Sequence, residues 1–429
     1  MNSLLQSTFL SGPFKKAEIS LQMTEGAKTL CSIKEDTPLI PASNMKLIIS
    51  AAALLSKKKD LFPPLQSFIN GSTFEGTVHG DLILESCGSL IFSARYPAED
   101  NFVEKNEILD KQITAYAQQL KDAGLTLFLG DLKLSFNRWN APWENDHYNA
   151  AAAFSFNENT VDTLVKDGKM STVPQSPEVF KFAVNNEIED QDKVENNLIR
   201  YNPKKDSRDY WRVYKYPATK YALSMLKKGL IKNGIKFLSQ ENTENGKPVK
   251  VCETNSLFSV AEYIAPLNQY SDNFRAEILA LLISRAISGK ADYKNLEKSV
   301  KDIFKANNLD LKGLKIDDGS GLSRKNRLSS SDLTKLLIYM SAHKENKSYI
   351  NSLAVAGKSG TLEHRFKGTP WEGTFHGKTG TLNKVSSLSG YWIRKDKPLV
   401  TFSFIGNGAE NEDFWKALEK FAASLKFMQ

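Results

Sequence analysis

Nine residues, Leu47-Ile-Ile-Ser-Ala-Ala-Ala-Leu-Leu55, give a helix with no polar face. Such a helix has to be buried all round, at the centre of a domain. Immediately before it stands Pro41-Ala42-Ser43-Asn44-Met45-Lys46, so a serine is expected at the mouth of this buried helix. Lys46, three residues on, lies one turn later on the same face, within reach of the Ser43 hydroxyl. A serine hydroxyl is a poor nucleophile until a base takes its proton. A lysine can be that base where burial and nearby cations lower its pKa. The helix N-terminus adds backbone N–H groups where an oxyanion could form. Ser-x-x-Lys alone does not decide the matter, because Ser43 as a plain N-cap beside a surface Lys46 fits the same letters.

A chain of 429 residues exceeds one ordinary core, so two or three domains are expected. Its 41% hydrophobic and 25% charged residues belong to a soluble globular protein. No apolar run is long enough for a transmembrane helix. The first residues lack a basic region followed by an apolar core, so either the chain is cytosolic or a leader has been removed. Cys31, Cys87 and Cys252 are too scattered for a disulfide framework or a zinc site. His79, His147, His343, His364 and His376 form no H-x-x-x-H pair, which argues against a zinc hydrolase, and no cofactor is expected. The net charge of +8, spread over this length, describes a solvated lysine-rich surface and not a nucleic-acid-binding one.

Along the chain, Ala17–Met23 and Lys28–Lys34 flank the turn signal Glu25-Gly26 and predict a hairpin. The Ser43 helix is expected to end among Lys57, Lys58 and Lys59, before Pro63-Pro64 breaks the pattern. Residues 73–84 and 125–134 alternate as strands, on either side of a helix over Asn106–Asp122. Gly80-Asp81-Leu82 and Gly130-Asp131-Leu132 echo each other, either as one turn type used twice or as a repeat. Residues 165–212 are more polar and predict strands and loops. A helix follows over Pro217–Gly234. From Ser256 helices are expected over 257–268, 272–288, 293–307 and 330–343. Three antiparallel strands then follow over 376–381, 386–393 and 399–405, with a closing amphipathic helix. The two ends of the chain therefore read as one domain and the middle as an insertion.

Two later stretches carry chemistry. In Tyr270-Ser271-Asp272-Asn273, between two helices, a second hydroxyl can relay a proton and an asparagine amide can grip a substrate amide. In Gly377-Lys378-Thr379-Gly380-Thr381-Leu382 a cation and a hydroxyl precede a glycine that would let an extended substrate lie against a strand edge. Each is weak alone. In the order Ser-x-x-Lys, Ser-x-Asn, Lys-Thr-Gly, at a helix start, an inter-helix loop and a strand, they form the active-site set of penicillin-binding proteins and class A β-lactamases. Gly357-Lys358-Ser359-Gly360-Thr361-Leu362 has the same shape as the third motif. Strands follow the second copy and a loop follows the first, so Lys378 is the choice.

On these residues, with Ser155-Phe-Asn-Glu-Asn-Thr-Val161, Asp318-Gly-Ser-Gly-Leu-Ser-Arg324, Ala356-Gly357, Gly360-Thr361-Leu362 and Arg365, the chain resembles the D-alanyl-D-alanine carboxypeptidase/endopeptidase family of low-molecular-mass class C penicillin-binding proteins, the peptidase S13 group. The resemblance covers almost the whole chain. It implies an α/β, multi-domain fold: a penicillin-binding transpeptidase-like domain, an antiparallel sheet flanked by helices, with two nested insertions. The boundaries expected are 1–66 with 255–429 for the catalytic domain, 67–164 with 213–254 for the second, and 165–212 for the third. Ser43 would be acylated, with Lys46 as its base. Ser271 and Lys378 would pass a proton to the leaving group, and Asn273 would hold the substrate's peptide carbonyl. Lys378 and Thr379 would bind the terminal carboxylate, with Gly380 and Thr381 lining the substrate and the Ser43 and Thr381 N–H groups forming the oxyanion hole. Arg324 is a candidate substrate contact and equally a structural arginine of a glycine-rich loop.

The implied partners are peptidoglycan stem peptides and β-lactam antibiotics, at a periplasmic or other extracytoplasmic location, with at most a loose association with the membrane surface. The chain departs from the family at Ser135-Phe136-Asn137, where acidic residues usually shape the side-chain pocket, and at Ser86-Cys-Gly-Ser-Leu90, which lacks the usual Gly-Asp-Pro. The alternatives are a β-lactamase of the same fold, against which the long insertion argues, and a peptidoglycan-binding scaffold without catalysis, against which the intact motif set argues.

Overall fold

The computed structural model describes residues 2–57, 61–95, 101–136, 154–175, 177, 180–194, 198–212, 218–238 and 246–428. Lys58, Lys59, Asn137, His147 and Pro217 lie outside them. The chain divides into two compact units, Met1–Leu61 with Phe258–Gln429, and Phe62–Leu257. The stretch read as an insertion falls inside the second.

The first unit opens with α1 (Asn2–Phe9), a helix that the sequence patterning did not reveal. It is held by tertiary packing, Leu5 and Phe9 lying one turn apart and buried. Strands β1 (Glu18–Glu25) and β2 (Lys28–Ile33) form the expected antiparallel hairpin. A 3-10 turn, Ala42–Asn44, then leads into α2 (Met45–Leu55). This helix stops at Leu55, short of the lysines, where the Ser56 N–H reaches back to the Ala53 carbonyl.

The second unit holds β3 (Leu65–Ile69), β4 (Ser72–Phe74), β5 (Thr77–His79), β6 (Leu82–Glu85), α3 (Phe102–Asp122), β7 (Leu127–Phe128) and β8 (Leu132–Ser135). It continues with β9 (Thr160–Lys166), β10 (Lys169–Val173), β11 (Lys181–Val184), β12 (Asp192–Val194), β13 (Leu198–Tyr201), β14 (Ser207–Arg212), α4 (Ala218–Lys232), β15 (Lys236–Phe237) and β16 (Val249–Thr254). Helix α3 starts four residues before the sequence expectation because Asn101 caps it, its side chain accepting from the Glu104 N–H. The four sheets here are β15-β7-β5-β4, β16-β3-β6-β8, β10-β9-β14 and β11-β13-β12. Buried residues of the polar stretch, Val173, Phe180 and Ile199, join the same apolar cluster as Leu82, Tyr116 and Leu226.

The Gly-Asp-Leu echo has a structural meaning. Strand β5 lies parallel to β7, pairing Thr77 with Leu127, and β6 lies parallel to β8, pairing Leu82 with Leu132. The two segments therefore pass side by side from one sheet into the other. At the crossing the Asp81 carboxylate accepts from the Asp131 N–H at 2.9 Å and from Lys133 at 2.7 Å.

Back in the first unit come α5 (Val260–Gln269), α6 (Asn273–Ser288), α7 (Leu296–Ala306), α8 (Ser330–Ala342), a short α9 (Asn346–Asn351), β17 (Ala354–Val355), β18 (Phe375–Leu382), β19 (Val385–Trp392), β20 (Val400–Asn407) and α10 (Asn411–Ser424). The six-stranded sheet runs β17-β18-β19-β20-β1-β2, antiparallel at every pairing. Alternation along the strands divides its two faces. Leu21, Met23, Leu388, Phe402 and Phe404 join Trp371, Phe375, Phe414 and Phe421 in an aromatic-rich core, with Trp371 and Phe375 stacked at 4.3 Å. The opposite face carries small polar residues: Ser20 meets Ser330, Thr24 meets Thr401, and Ser389 meets Ser403. Those short side chains let the buried α2 turn sit directly on the sheet.

Candidate active site

Ser43 is the one residue between Pro41 and Ala53 that is not buried. Asn44 occupies the cap position of α2, so Ser43 is not the N-cap. The turn that carries it is strained: Ala42, fully buried, has φ +46°, a conformation that costs a non-glycine residue of order 1–3 kcal/mol and clusters at active sites. The turn is fastened to β19. The Ser387 hydroxyl donates to the Pro41 carbonyl at 2.7 Å, and the Asn44 amide donates to the Ser389 hydroxyl at 3.0 Å. Strand β18 closes on it from the side. A Cβ at Gly380 would lie 2.9 Å from the Ser43 nitrogen and 2.3 Å from the Ser387 hydroxyl. The need for glycine there comes from the approach of the Ser43 turn, where the sequence had suggested room for substrate.

Lys46 is fully buried, which removes the surface-lysine reading. Its Nζ lies 2.9 Å from Ser43 Oγ, donates to Asn273 Oδ1 at 2.8 Å and donates to the Ser320 carbonyl at 2.6 Å. Burial pushes its ammonium down to about 8, against the pull of Glu277, Asp318 and Asp272 in the other direction. A neutral amine has two N–H bonds and one lone pair. The Asn273 and Ser320 oxygens, neither of which can donate, take both N–H bonds. The lone pair is then left for Ser43, the geometry a general base requires. Because Lys46 is a donor there, Asn273 must present Oδ1 to it, and its NH₂ is left for another partner.

Ser271 precedes α6 in a left-handed conformation, φ +59°. The cap of α6 is its neighbour Asp272, which accepts from the Arg275 N–H at 3.0 Å. Ser271 is therefore not the helix cap. Lys378 is fully buried, its Nζ donating to the Thr379 carbonyl at 2.7 Å. Burial, and then the charge of Lys46, hold it well below the usual lysine range. Thr379 donates to Thr361 Oγ1 at 2.8 Å. Thr361 belongs to the look-alike motif, so that motif supports the strand that carries Lys378. Thr381 is exposed on the same strand, and β17 pairs with β18 only at His376 and Gly377. The Arg324 guanidinium donates to the Asn383 carbonyl at 2.6 Å, tying its loop to the β18–β19 turn.

Lys358, by contrast, is 61% exposed and lies 3.8 Å from Glu372, a solvated pair worth no more than about 1 kcal/mol. Lys358→Ala is expected to leave acylation of Ser43 within about twofold, whereas Lys378→Ala is expected to lower it at least about a hundredfold. Rates of labelling by a fluorescent penicillin check both.

Three residues that the motifs did not assign to this site complete it. Asp318 accepts from the Gly321 and Ser323 N–H groups and from the Asn326 amide, shaping the glycine-rich loop. Glu277, on α6, accepts from the Gly319 and Ser320 N–H groups. Ser320 contributes a backbone carbonyl. Gly321, at φ +87°, passes so close to Ala42 that a Cβ would lie 1.9 Å from its carbonyl oxygen.

A six-stranded antiparallel sheet, Ser-x-x-Lys at the mouth of a buried helix against it, an Asn at the start of a later helix and a Lys-Thr-Gly strand define the serine acyltransferases that react with penicillin. Residues 5–425 match the D-Ala-D-Ala carboxypeptidase 3 (S13) family, and the chain belongs to that family. It is 33% identical over 154 residues to the D-alanyl-D-alanine carboxypeptidase of Actinomadura sp. (strain R39), a match that covers 35% of this chain and 28% of that protein. The matched segment thus spans less than a third of that relative's length. Its fold is that of penicillin binding protein 4 (dacB) from Haemophilus influenzae, with a TM-score of 0.71 at 20% identity over 99% of this chain and 98% of the other. A second structure of that protein, complexed with a novel β-lactam, aligns with a TM-score of 0.69 at 18% identity, over 99% and 98%.

Proposed function

We propose that this protein is a serine-type D-Ala-D-Ala carboxypeptidase that also cuts peptidoglycan cross-links as an endopeptidase, and that β-lactams acylate it. The observation that carries the reading is the buried Lys46 Nζ, 2.9 Å from Ser43 Oγ and bonded to the Asn273 and Ser320 oxygens, so that its neutral form has its lone pair left for Ser43. Ser43 attacks the penultimate D-Ala carbonyl as Lys46 takes its proton. The Ser43 and Thr381 N–H groups would hold the negative oxygen, and donors fixed in advance lower the barrier. The Asn273 NH₂ holds the substrate's peptide carbonyl. Lys378 and Thr379 receive the terminal carboxylate, and the arriving anion restores the charge of Lys378 that burial disfavours. A proton relayed through Ser271 and Lys378 leaves with D-Ala, and water then releases the shortened peptide. A D-Ala–diaminopimelate cross-link offers the same bond to the same groups. Arg324 stands at the rim, where its tie to Asn383 fits a structural role at least as well as a substrate contact. The substrate lies outside the cytoplasm, so the protein acts there.

The deciding experiment is incubation with a fluorescent penicillin followed by mass spectrometry of the labelled peptide, beside a D-Ala release assay on monomeric and cross-linked stem peptides. Label on Ser43, lost in Ser43→Ala, and released D-Ala are expected. Label elsewhere, or turnover of a chromogenic cephalosporin faster than D-Ala release, would overturn the reading. The base must be neutral to act, so the acylation rate is expected to rise with pH through a midpoint near 8.

A further inference from the structure

The motif set accounts for Lys46, Asn273 and Ser43, but not for what holds the Ser320 carbonyl against the lysine. A backbone carbonyl in a glycine-rich loop, between Gly319 and Gly321, has freedom to turn away. Glu277 restrains it. This carboxylate is 1% exposed and sits one turn along α6 from Asn273, on the same face of the helix. Its Oε1 accepts from the Ser320 N–H at 2.6 Å and its Oε2 from the Gly319 N–H at 3.3 Å. With those two N–H groups pinned to α6, and the Gly321 N–H of the next peptide unit held by Asp318, the Ser320 carbonyl faces Lys46 at 2.6 Å.

We propose that Glu277 is a positioning residue for acylation: from the helix that carries Asn273 it clamps the Gly319–Ser320 backbone, so that the Ser320 carbonyl and the Asn273 Oδ1 together aim the Lys46 lone pair at Ser43. This rests on the carboxypeptidase reading above. The clamp acts through two backbone N–H groups and the lysine, and touches no substrate.

Its charge works alongside its geometry. Three acidic groups face Lys46: Glu277 from α6, Asp318 from the glycine-rich loop and Asp272 from the cap of α6, and all favour its charged form. Lys378 faces it from β18. Tyr293, before α7, faces Glu277. Burial pushes Glu277 itself upward, while bonds from Ser320, Tyr293 and Gly319 pull it back. Both of its oxygens accept from backbone N–H groups, an arrangement that suits the carboxylate. Asp318 shares both effects, since it accepts from the Gly321 N–H of the peptide unit that holds the Ser320 carbonyl; Glu277 fixes the preceding peptide units and ties them to the helix of Asn273.

Glu277→Gln separates the two effects. The amide oxygen still accepts from one N–H, but its NH₂ cannot accept from the other and carries no charge. Two expectations follow. The plateau rate of penicillin acylation falls at least about tenfold, and the pH midpoint of acylation moves below that of the parent because an anion beside Lys46 is gone. A purely structural Glu277 would lower the melting temperature while leaving midpoint and plateau in place, and that result overturns the proposal. Lys46 is titrated independently of catalysis by the carbon NMR shift of its ε-methylene in lysine-labelled protein, parent and variant. An unlabelled Ser43 in the parent defeats the carboxypeptidase reading. A parent that is acylated, with Lys46 titrating identically in Glu277→Gln and an unchanged plateau, defeats this one alone. Glu277→Asp, which keeps the charge one methylene short, is expected to retain more of the parent midpoint than of its plateau.

Discussion

Lys46→Met is expected to lower the rate at which penicillin acylates Ser43 by about 10²–10⁴-fold, the span a lost general base commands. Methionine is close to lysine in length and fills the same buried channel without a charge. The fold should survive, because removing a buried cation also removes its desolvation cost, although the Asn273 and Ser320 oxygens lose a donor. The expected signature is therefore a melting temperature near that of the parent with nearly all acylation gone. The remaining rate should no longer rise through pH 8, since the group that titrates there is absent. A variant that acylates at the parent rate would show that another group takes the Ser43 proton.

Gly321→Ala is expected to be as damaging by a different route. A Cβ there would lie 1.9 Å from the Ala42 carbonyl oxygen and 3.0 Å from the Ser43 nitrogen. Both are backbone atoms and cannot swing aside as a side chain would. The residue would also hold φ +87°, where an alanine is strained. Overpacking and backbone strain together amount to roughly 3–5 kcal/mol, a large part of the stability of most domains. Denaturant unfolding of the purified variant measures that loss. Whatever fraction folds must push the Ala42–Ser43 turn off the loop, so acylation per folded molecule should fall too. Stability and rate both at the parent level would contradict the described contact between loop and turn.

The difference between what the sequence disclosed and what it concealed follows the kind of group involved. Ser43, Lys46, Asn273 and Lys378 could be singled out from the letters because they are side chains in a recurring order, and the structure brings Lys46 to Ser43 and Asn273. The Ser320 carbonyl could not be singled out, because a backbone acceptor has no letter of its own. Glu277 was hidden for a related reason: a glutamate inside a helix reads as one more solvated charge until its two backbone partners are known. Gly380 was visible but its closest neighbour was not, since a strand pattern cannot show that the Ser43 turn approaches that strand. Of the fold, five of the six strands of the large sheet and the larger helices around it came out within a few residues, on strong alternation, while the two-residue β17 was not anticipated. Helix α1 was missed because Leu4, Leu5 and Phe9 are too few apolar letters in eight residues to make a period.

The crossing of the Gly-Asp-Leu segments in the second unit has a mechanical consequence. Two strands that each run through both sheets, paired with each other along the way, couple those sheets as a hinge pin couples two leaves. Peeling either sheet open pulls the same chain out of the other, and the salt-bridged Asp81 at the crossing would be stripped of its partners in both events at once. The pair therefore behaves as one cooperative block, with no cheap partly opened state between closed and unravelled.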